Sequence, residues 1–194
     1  PGGGRPGALA SRHGVKCSDL ALHFIAGLRR HAGAVTAVTC PSYNSYQGLI
    51  AQGDLREFSW APVLVAWGKN NRSAMLRLPG NRYCVENRAV DMSTNPYLAA
   101  AISLSAGLDG IEQQLDPGDP LNDDLYKRGP KAAGLELLPR TLLHALEAFE
   151  ADPVSSAAFG DFYKEIYLGH KHREWERAFY RVTEEQRRDL LTFI

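Results

Sequence analysis

The chain has 194 residues, with 22 Lys plus Arg balanced by 22 Asp plus Glu, 44% apolar residues and 23% charged ones. That composition excludes wholesale disorder and fits one domain, or one and a fraction. Zero formal net charge argues against a nucleic-acid or membrane-surface binder, because no chain-wide electrostatic attraction favours either.

Residues 1–17, rich in Gly and Pro, read as loop. The chain opens with Pro1-Gly2-Gly3-Gly4 and no initiator Met, so it is expected to be a piece of a longer protein. Ser18 is the expected N-cap of a helix, with Asp19 in the first turn, where the helix dipole favours an anion. Leu20, Phe24 and Leu28 recur at spacing four and give that helix an apolar face to about Ala34. Pro41 to Gly53 is turn-rich, with Asn44-Ser45-Tyr46 near its start.

Pro62 to Trp67 reads as a short buried strand. Ser73 to Leu78 and Cys84 to Val90 alternate around the turn residues Pro79-Gly80-Asn81, which predicts a β-hairpin. Asn95-Pro96 is a helix start: Asn caps, and Pro takes the first helical position, where its missing N–H costs nothing. This helix should run to about Leu115. With Leu98, Ile102, Leu104, Leu108 and Ile111 spread around it, it should be buried. Gly107 and Gly110 within it predict close approach of another backbone. Asp116 to Pro120 ends it, and 120–138 reads as loop. Leu142, Leu143, Leu146 and Phe149 mark one further helix, and Asp161 to Tyr180, with Phe162, Ile166 and Trp175, another. Thr183 and Gln186 form a T-x-x-Q capping box opening a last helix with Leu190, Leu191 and Phe193. The fold class is α+β: a small antiparallel sheet packed with helices, followed by a helical C-terminal half.

Cys17, Cys40 and Cys84 are odd in number and widely spaced, so neither a disulfide framework nor a structural zinc site is expected, and a reducing, cytoplasmic compartment fits best. The uncharged, apolar stretch from Pro96 to Leu108 is thirteen residues, short of the ~20 needed to span a bilayer. No two of the six histidines share a metal-ligand spacing, so each reads as structural or superficial.

Three charged residues, Arg77, Glu86 and Arg88, fall inside strands rather than loops, and Arg72 enters the same sheet. The two-residue period puts Glu86 and Arg88 on one face, with Arg77 across from the Cys84–Glu86 region. This face is either a solvated set of ion pairs or an anion pocket. Arg is a planar fork for carboxylate or phosphate, and a carboxylate among arginines can share a hard cation with substrate phosphates. Such a group suits phosphoryl transfer. Residues 1–80 carry nine basic against three acidic side chains, net +6, while 81–194 carry thirteen against nineteen, net −6. The first half is thus the basic one. No P-loop, G-x-G-x-x-G or G-x-S-x-G occurs.

Asn44-Ser45-Tyr46, Asn71-Arg72-Ser73-Ala74 with Arg77, Glu86-Asn87-Arg88, and Asn95-Pro96-Tyr97-Leu98-Ala99 running into Ala106-Gly107-Leu108-Asp109-Gly110-Ile111 together resemble the carboxyl-terminal part of glutamine synthetase catalytic domains. The stretch from Asn44 to Trp60 and the tail resemble the type III-like bacterial branch. The resemblance covers 17–194, leaving 1–16 as loop of an upstream region. It implies an ATP-dependent glutamate–ammonia ligase that works through γ-glutamyl phosphate with Mg2+ or Mn2+. It also implies a double-ring homo-oligomer whose sites form between subunits. By the same resemblance, Glu86 is the metal-binding glutamate, Arg88 holds glutamate, and Asn44 belongs to the substrate side. Arg72 contacts substrate and the transferring phosphate, as the catalytic arginine. Arg77 lies on the ATP side.

Two positions depart. The family's N-S-Y-K-R arginine is replaced at Gln47-Gly48, and the first arginine of R-x-E-x-R is Cys84. Arg82 and Arg56 are the candidates to compensate, Arg82 on the ATP side. The flap acid is Asp54 or Glu57, if either. These departures keep two alternatives open: a ligase using another small amine, and a degenerate, non-catalytic homologue.

Overall fold

The computed structural model describes residues 9–12, 15–49, 62–124 and 134–192. Asp54, Arg56, Glu57 and Phe193 lie outside them. Within the expected loop, β1 (Leu9–Arg12) and β2 (Val15–Ser18) pair as an antiparallel ribbon, Leu9 opposite Ser18 and Arg12 opposite Val15. Strands of four residues are too short to leave a periodic signal, and backbone pairing carries none.

Ser18 caps α1 (Asp19–Arg30) as expected, its hydroxyl accepting from the Ala21 amide. The buried stripe is Leu22, Ile25, Ala26 and Leu28, whereas Leu20 is exposed. The chain then turns at His31 and continues as α2 (Ala32–Thr39), which the sequence reading did not foresee. Nearly every α2 residue is buried, so Ala-Gly-Ala-Val-Thr-Ala-Val-Thr offers no polar face to set a helical period. A single turn, α3 (Ser45–Gly48), follows.

The sheet is mixed rather than wholly antiparallel. Its order is β3 (Trp67–Lys69), β4 (Leu76–Leu78), β5 (Glu86–Asn87). β3 runs parallel to β4, while β4 and β5 form the expected antiparallel pair, with Arg77 opposite Glu86. Upstream of β3, Leu64 bridges Leu137, so the apolar run from Pro62 is extended and partly paired to the 136–138 segment.

Asn95 caps α4 (Pro96–Glu112), its side chain accepting from the Tyr97 and Leu98 amides. The expected close approach occurs. A Cβ on Gly110 would lie 2.2 Å from the His23 carbonyl oxygen and 2.5 Å from the Gly27 nitrogen, so α1 and α4 pack backbone to backbone. At Gly107 the neighbour is the Phe24 ring instead. The expectation that α4 is buried all round fails: Tyr97, Leu104 and Leu108 are exposed. α5 (Leu142–Ala151) buries Leu142, Ala145, Leu146 and Phe149. α6 (Pro153–Phe179) starts earlier than expected and kinks at Gly160, where φ is 73°. It buries Tyr167 and Leu168, not Phe162 or Ile166. The capping box of Thr183 and Gln186 opens α7 (Glu184–Leu191), whose Leu190 and Leu191 are exposed. One main apolar cluster runs from α1 and α2 through the sheet to α5 and α6. No helix among the described residues is long and apolar enough to cross a membrane.

Candidate active site

The turn at 79–81 brings β5 back along β4, and the pairing of Arg77 with Glu86 puts a guanidinium against a carboxylate. Arg77 Nη1 donates to Glu86 Oε2 at 2.9 Å and its Nη2 to Asn70 Oδ1 at 2.6 Å. Asn70 holds a left-handed conformation (φ 55°), which Asn tolerates better than most residues. Arg82 Nη2 reaches the same Glu86 oxygen at 3.5 Å, and Arg88 Nε lies 3.9 Å from Glu86 Oε1. Three guanidinium groups thus share one carboxylate: Arg77 from β4, Arg82 from the connection to β5, and Arg88 one residue past the end of β5, a strand shorter than the alternation predicted, which leaves Arg88 outside it. Arg77 and Arg88 are largely covered, while Arg82 is mostly exposed.

Arg72 is exposed and lines an open depression with Asn70, Ser73, Arg77, Asn122 and Asp124. Its neighbour Asn71 fixes the loop. The Asn71 amide donates to the carbonyls of Leu121 and Asp123 at 2.7 and 2.8 Å, and its Oδ1 accepts from the Ser73 amide and hydroxyl at 2.9 and 2.6 Å. Sequence reasoning valued Asn71 only as part of a motif. Its four bonds explain why Asn stands there: buried polar groups need partners, and Asn has two donors and an acceptor to give.

Asn44 is not in this group. It is exposed at the start of α3 and lines a second depression, with Ser42, Tyr43, Gln47, Glu174 and residues from Arg177 onward. A Cβ on Gly48 would meet open space. Cys84 is exposed beside the cluster, while Cys17 and Cys40 are buried and unpaired thiols. Burial pushes the Cys40 thiol up to about 12, which keeps it neutral.

No group of three or more His, Cys, Asp or Glu side chains able to hold a metal occurs among the described residues. Glu86 is nevertheless a partly exposed hard-oxygen donor, and Mg2+ commonly takes one or two carboxylates plus waters and substrate phosphates. The two Glu86 oxygens face Arg77, Arg82 and Arg88, so the described residues by themselves do not form a divalent-cation site.

The profile of the glutamine synthetase catalytic domain matches residues 4–190. The glutamate–methylamine ligase of Methyloversatilis universalis is 42% identical over 187 residues, covering 95% of this chain and 42% of that protein. The glutamine synthetase of Pyrococcus furiosus is 43% identical over 165 residues, covering 82% of this chain and 36% of its own length. A solved structure titled "GmaS/ADP complex-Conformation 1" superposes with a TM-score of 0.84 at 36% identity, over 95% of this chain and 42% of that one. The chain therefore spans less than half the length of these relatives, and the bacterial ligase among them fits the branch that the sequence resembles. With the profile running through nearly all of its length, this chain belongs to the glutamine synthetase catalytic-domain family.

Proposed function

We propose that this chain is the carboxyl-terminal part of an ATP-dependent ligase that joins the γ-carboxyl group of glutamate to a small amine through γ-glutamyl phosphate. The observation that carries the reading is the convergence of Arg77, Arg82 and Arg88 on Glu86, with Arg72 beside Arg77, in a member of this family. Three guanidinium groups against one carboxylate leave positive charge to spare for anionic substrates. Forks of this kind hold carboxylates and phosphates in fixed geometry, and phosphoryl transfer depends chiefly on such positioning and charge neutralisation.

In this reading Arg88 holds the glutamate carboxylate. Arg72 contacts the substrate and the phosphoryl group in transfer, while Arg77 and Arg82 face the ATP polyphosphate. Asn44 belongs to the substrate side through a different wall of the assembled site. Glu86 is one ligand for Mg2+ or Mn2+, which when bound supplies charge neutralisation at phosphate oxygens. The remaining ligands come from the part of the protein that precedes these residues in the relatives. A neighbouring subunit of a double-ring oligomer completes the site.

Ammonia is the acceptor in the leading reading, and glutamine the product. Methylamine or another small amine is the second reading. It is favoured by the similarity to a glutamate–methylamine ligase over 95% of the chain, and by Gly48 and Cys84 standing at arginine positions. The test is full-length protein with ATP, glutamate and a panel of amines, with product identified by mass spectrometry. Amide formation with ammonia or another small amine is the expected result, and the preferred amine decides between the two readings. Absence of both product and γ-glutamyl phosphate would overturn the ligase reading in favour of a degenerate homologue.

A further inference from the structure

Asn70 stands one residue past the end of β3. Its backbone amide donates to the Leu78 carbonyl at 2.8 Å, which ties it to β4. Its left-handed φ of 55° is where the chain leaves the strand for Asn71 and Arg72. Its Oδ1 accepts from Arg77 Nη2 at 2.6 Å, while Arg77 Nη1 donates to Glu86 Oε2 at 2.9 Å. Arg77 Nε is buried and meets no acceptor among the described residues. A guanidinium has five N–H groups. One is therefore enclosed and two are taken, which leaves one on each Nη for a further acceptor. Arg77 and Arg72 both line the open depression beside this loop, with Asp124 as the acidic residue on its wall.

We propose that Asn70 is a positioning residue: it fixes the plane of Arg77 without neutralising it, so that Arg77 meets nucleotide phosphate oxygens with its remaining N–H groups. The inference rests on the reading of Arg77 as an ATP-side arginine. A guanidinium held at both Nη atoms has its rotation already restricted, so less freedom is lost when a phosphate binds. The two braces differ in charge. Glu86 offsets much of the guanidinium's charge, and a second carboxylate at Asn70 would oppose an incoming phosphate. An amide oxygen accepts the same hydrogen bond and adds no charge. Asn also tolerates the left-handed backbone that this position requires, so one residue type meets both demands.

The test is calorimetric titration of the full-length protein with ATP and Mg2+. Asn70→Gly keeps the freedom to hold φ at 55° and removes the amide, so the backbone is not strained. It should bind ATP roughly three- to tenfold more weakly, the scale of one hydrogen bond. Asn70→Asp keeps the acceptor and adds a charge. It should also bind ATP more weakly, with a deficit that shrinks as ionic strength rises. Because Asn70 acts through Arg77, Asn70→Gly should cause no further loss in an Arg77→Ala background. A merely structural role would give the same loss in both backgrounds. That result, or unchanged ATP binding by Asn70→Gly, overturns the positioning role while Arg77→Ala alone still weakens ATP binding. ATP binding indifferent to Arg77→Ala overturns the placing of Arg77 on the ATP side as well. No ATP binding by the unaltered protein overturns the ligase reading and this inference together.

Discussion

His31 Nδ1 lies 2.8 Å from Asp152 Oδ2, joining the turn between α1 and α2 to the residue that both ends α5 and caps α6. The other imidazole nitrogen, Nε2, is 2.9 Å from Asp109 Oδ2 on α4. The imidazole is almost wholly buried. Burial alone would lower its pKa, but the hydrogen bonds and charges of Asp152 and Asp109 overcome that and raise it. The same contact, with Gln113 and Arg30, holds the Asp109 carboxyl below its usual value against the opposing effect of burial.

These shifts fix a pH dependence. A raised His pKa contributes stability that is complete below the unfolded value of about 6.5 and lost as pH rises through the folded one. A lowered Asp pKa contributes stability that is present above about 4 and lost as pH falls through its folded value. The thermal midpoint should therefore be highest between the two limits and decline on the alkaline side. His31→Gln should flatten the alkaline decline and lower stability by about 3 kcal/mol, the scale of breaking a buried pair. Parallel pH profiles for the two proteins would refute the assignment.

Gly110→Ala should be among the more damaging single-atom changes in the helical part. Its Cβ would meet the His23 carbonyl and the Gly27 backbone, neither of which can yield without moving α1. Overpacking of this kind costs about 1–3 kcal/mol. Gly169→Ala in α6 meets nothing within 4 Å and should be neutral or slightly stabilising. Chemical denaturation of both variants checks the contrast, and equal effects would remove the steric explanation.

Asn71→Ala should loosen the loop that carries Arg72. It removes two donors to the Leu121 and Asp123 carbonyls and the acceptor for Ser73. The expected loss is on the order of 2–3 kcal/mol, with a raised KM for glutamate or ATP in the full-length protein if it is the proposed ligase. Asn71→Asp keeps the acceptor but turns a buried carboxylate oxygen onto the Leu121 and Asp123 carbonyls, so it should cost at least as much as Asn71→Ala. Unfolding curves and steady-state kinetics that match the unaltered protein would place the anchor elsewhere.

The 194-residue chain by itself should make no amide product, since the proposed site draws on elements beyond it. Tyr97, Leu104 and Leu108 on α4, and Phe162, Ile166 and Phe179 on α6, are exposed apolar side chains. Surface of that kind favours association, so sedimentation should report oligomers or aggregates. A monomeric chain that turns over ATP, glutamate and ammonia would contradict both expectations.

What the sequence determined by itself is local. The Ser18, Asn95 and Thr183 caps bond within the first turn of their own helices, so residue type and spacing suffice. The β4–β5 turn and the placing of Arg77 across from Glu86 were legible because turn residues between alternating runs fix a hairpin. The family resemblance then picked out the same arginines. Tertiary structure decided what lies far apart along the chain. The parallel pairing of β3 with β4, and the docking of α2 among other helices, have no signature in the residues between them. His31 meets partners 78 and 121 residues away, and Asn71 partners about 50 away. Only the packed fold sets which polar group is buried opposite which, because an unpaired buried charge or amide costs more than the chain can tolerate. For the same reason the sequence could name Arg82 as a candidate, but its exposed reach to an oxygen already held by Arg77 belongs to the three-dimensional structure.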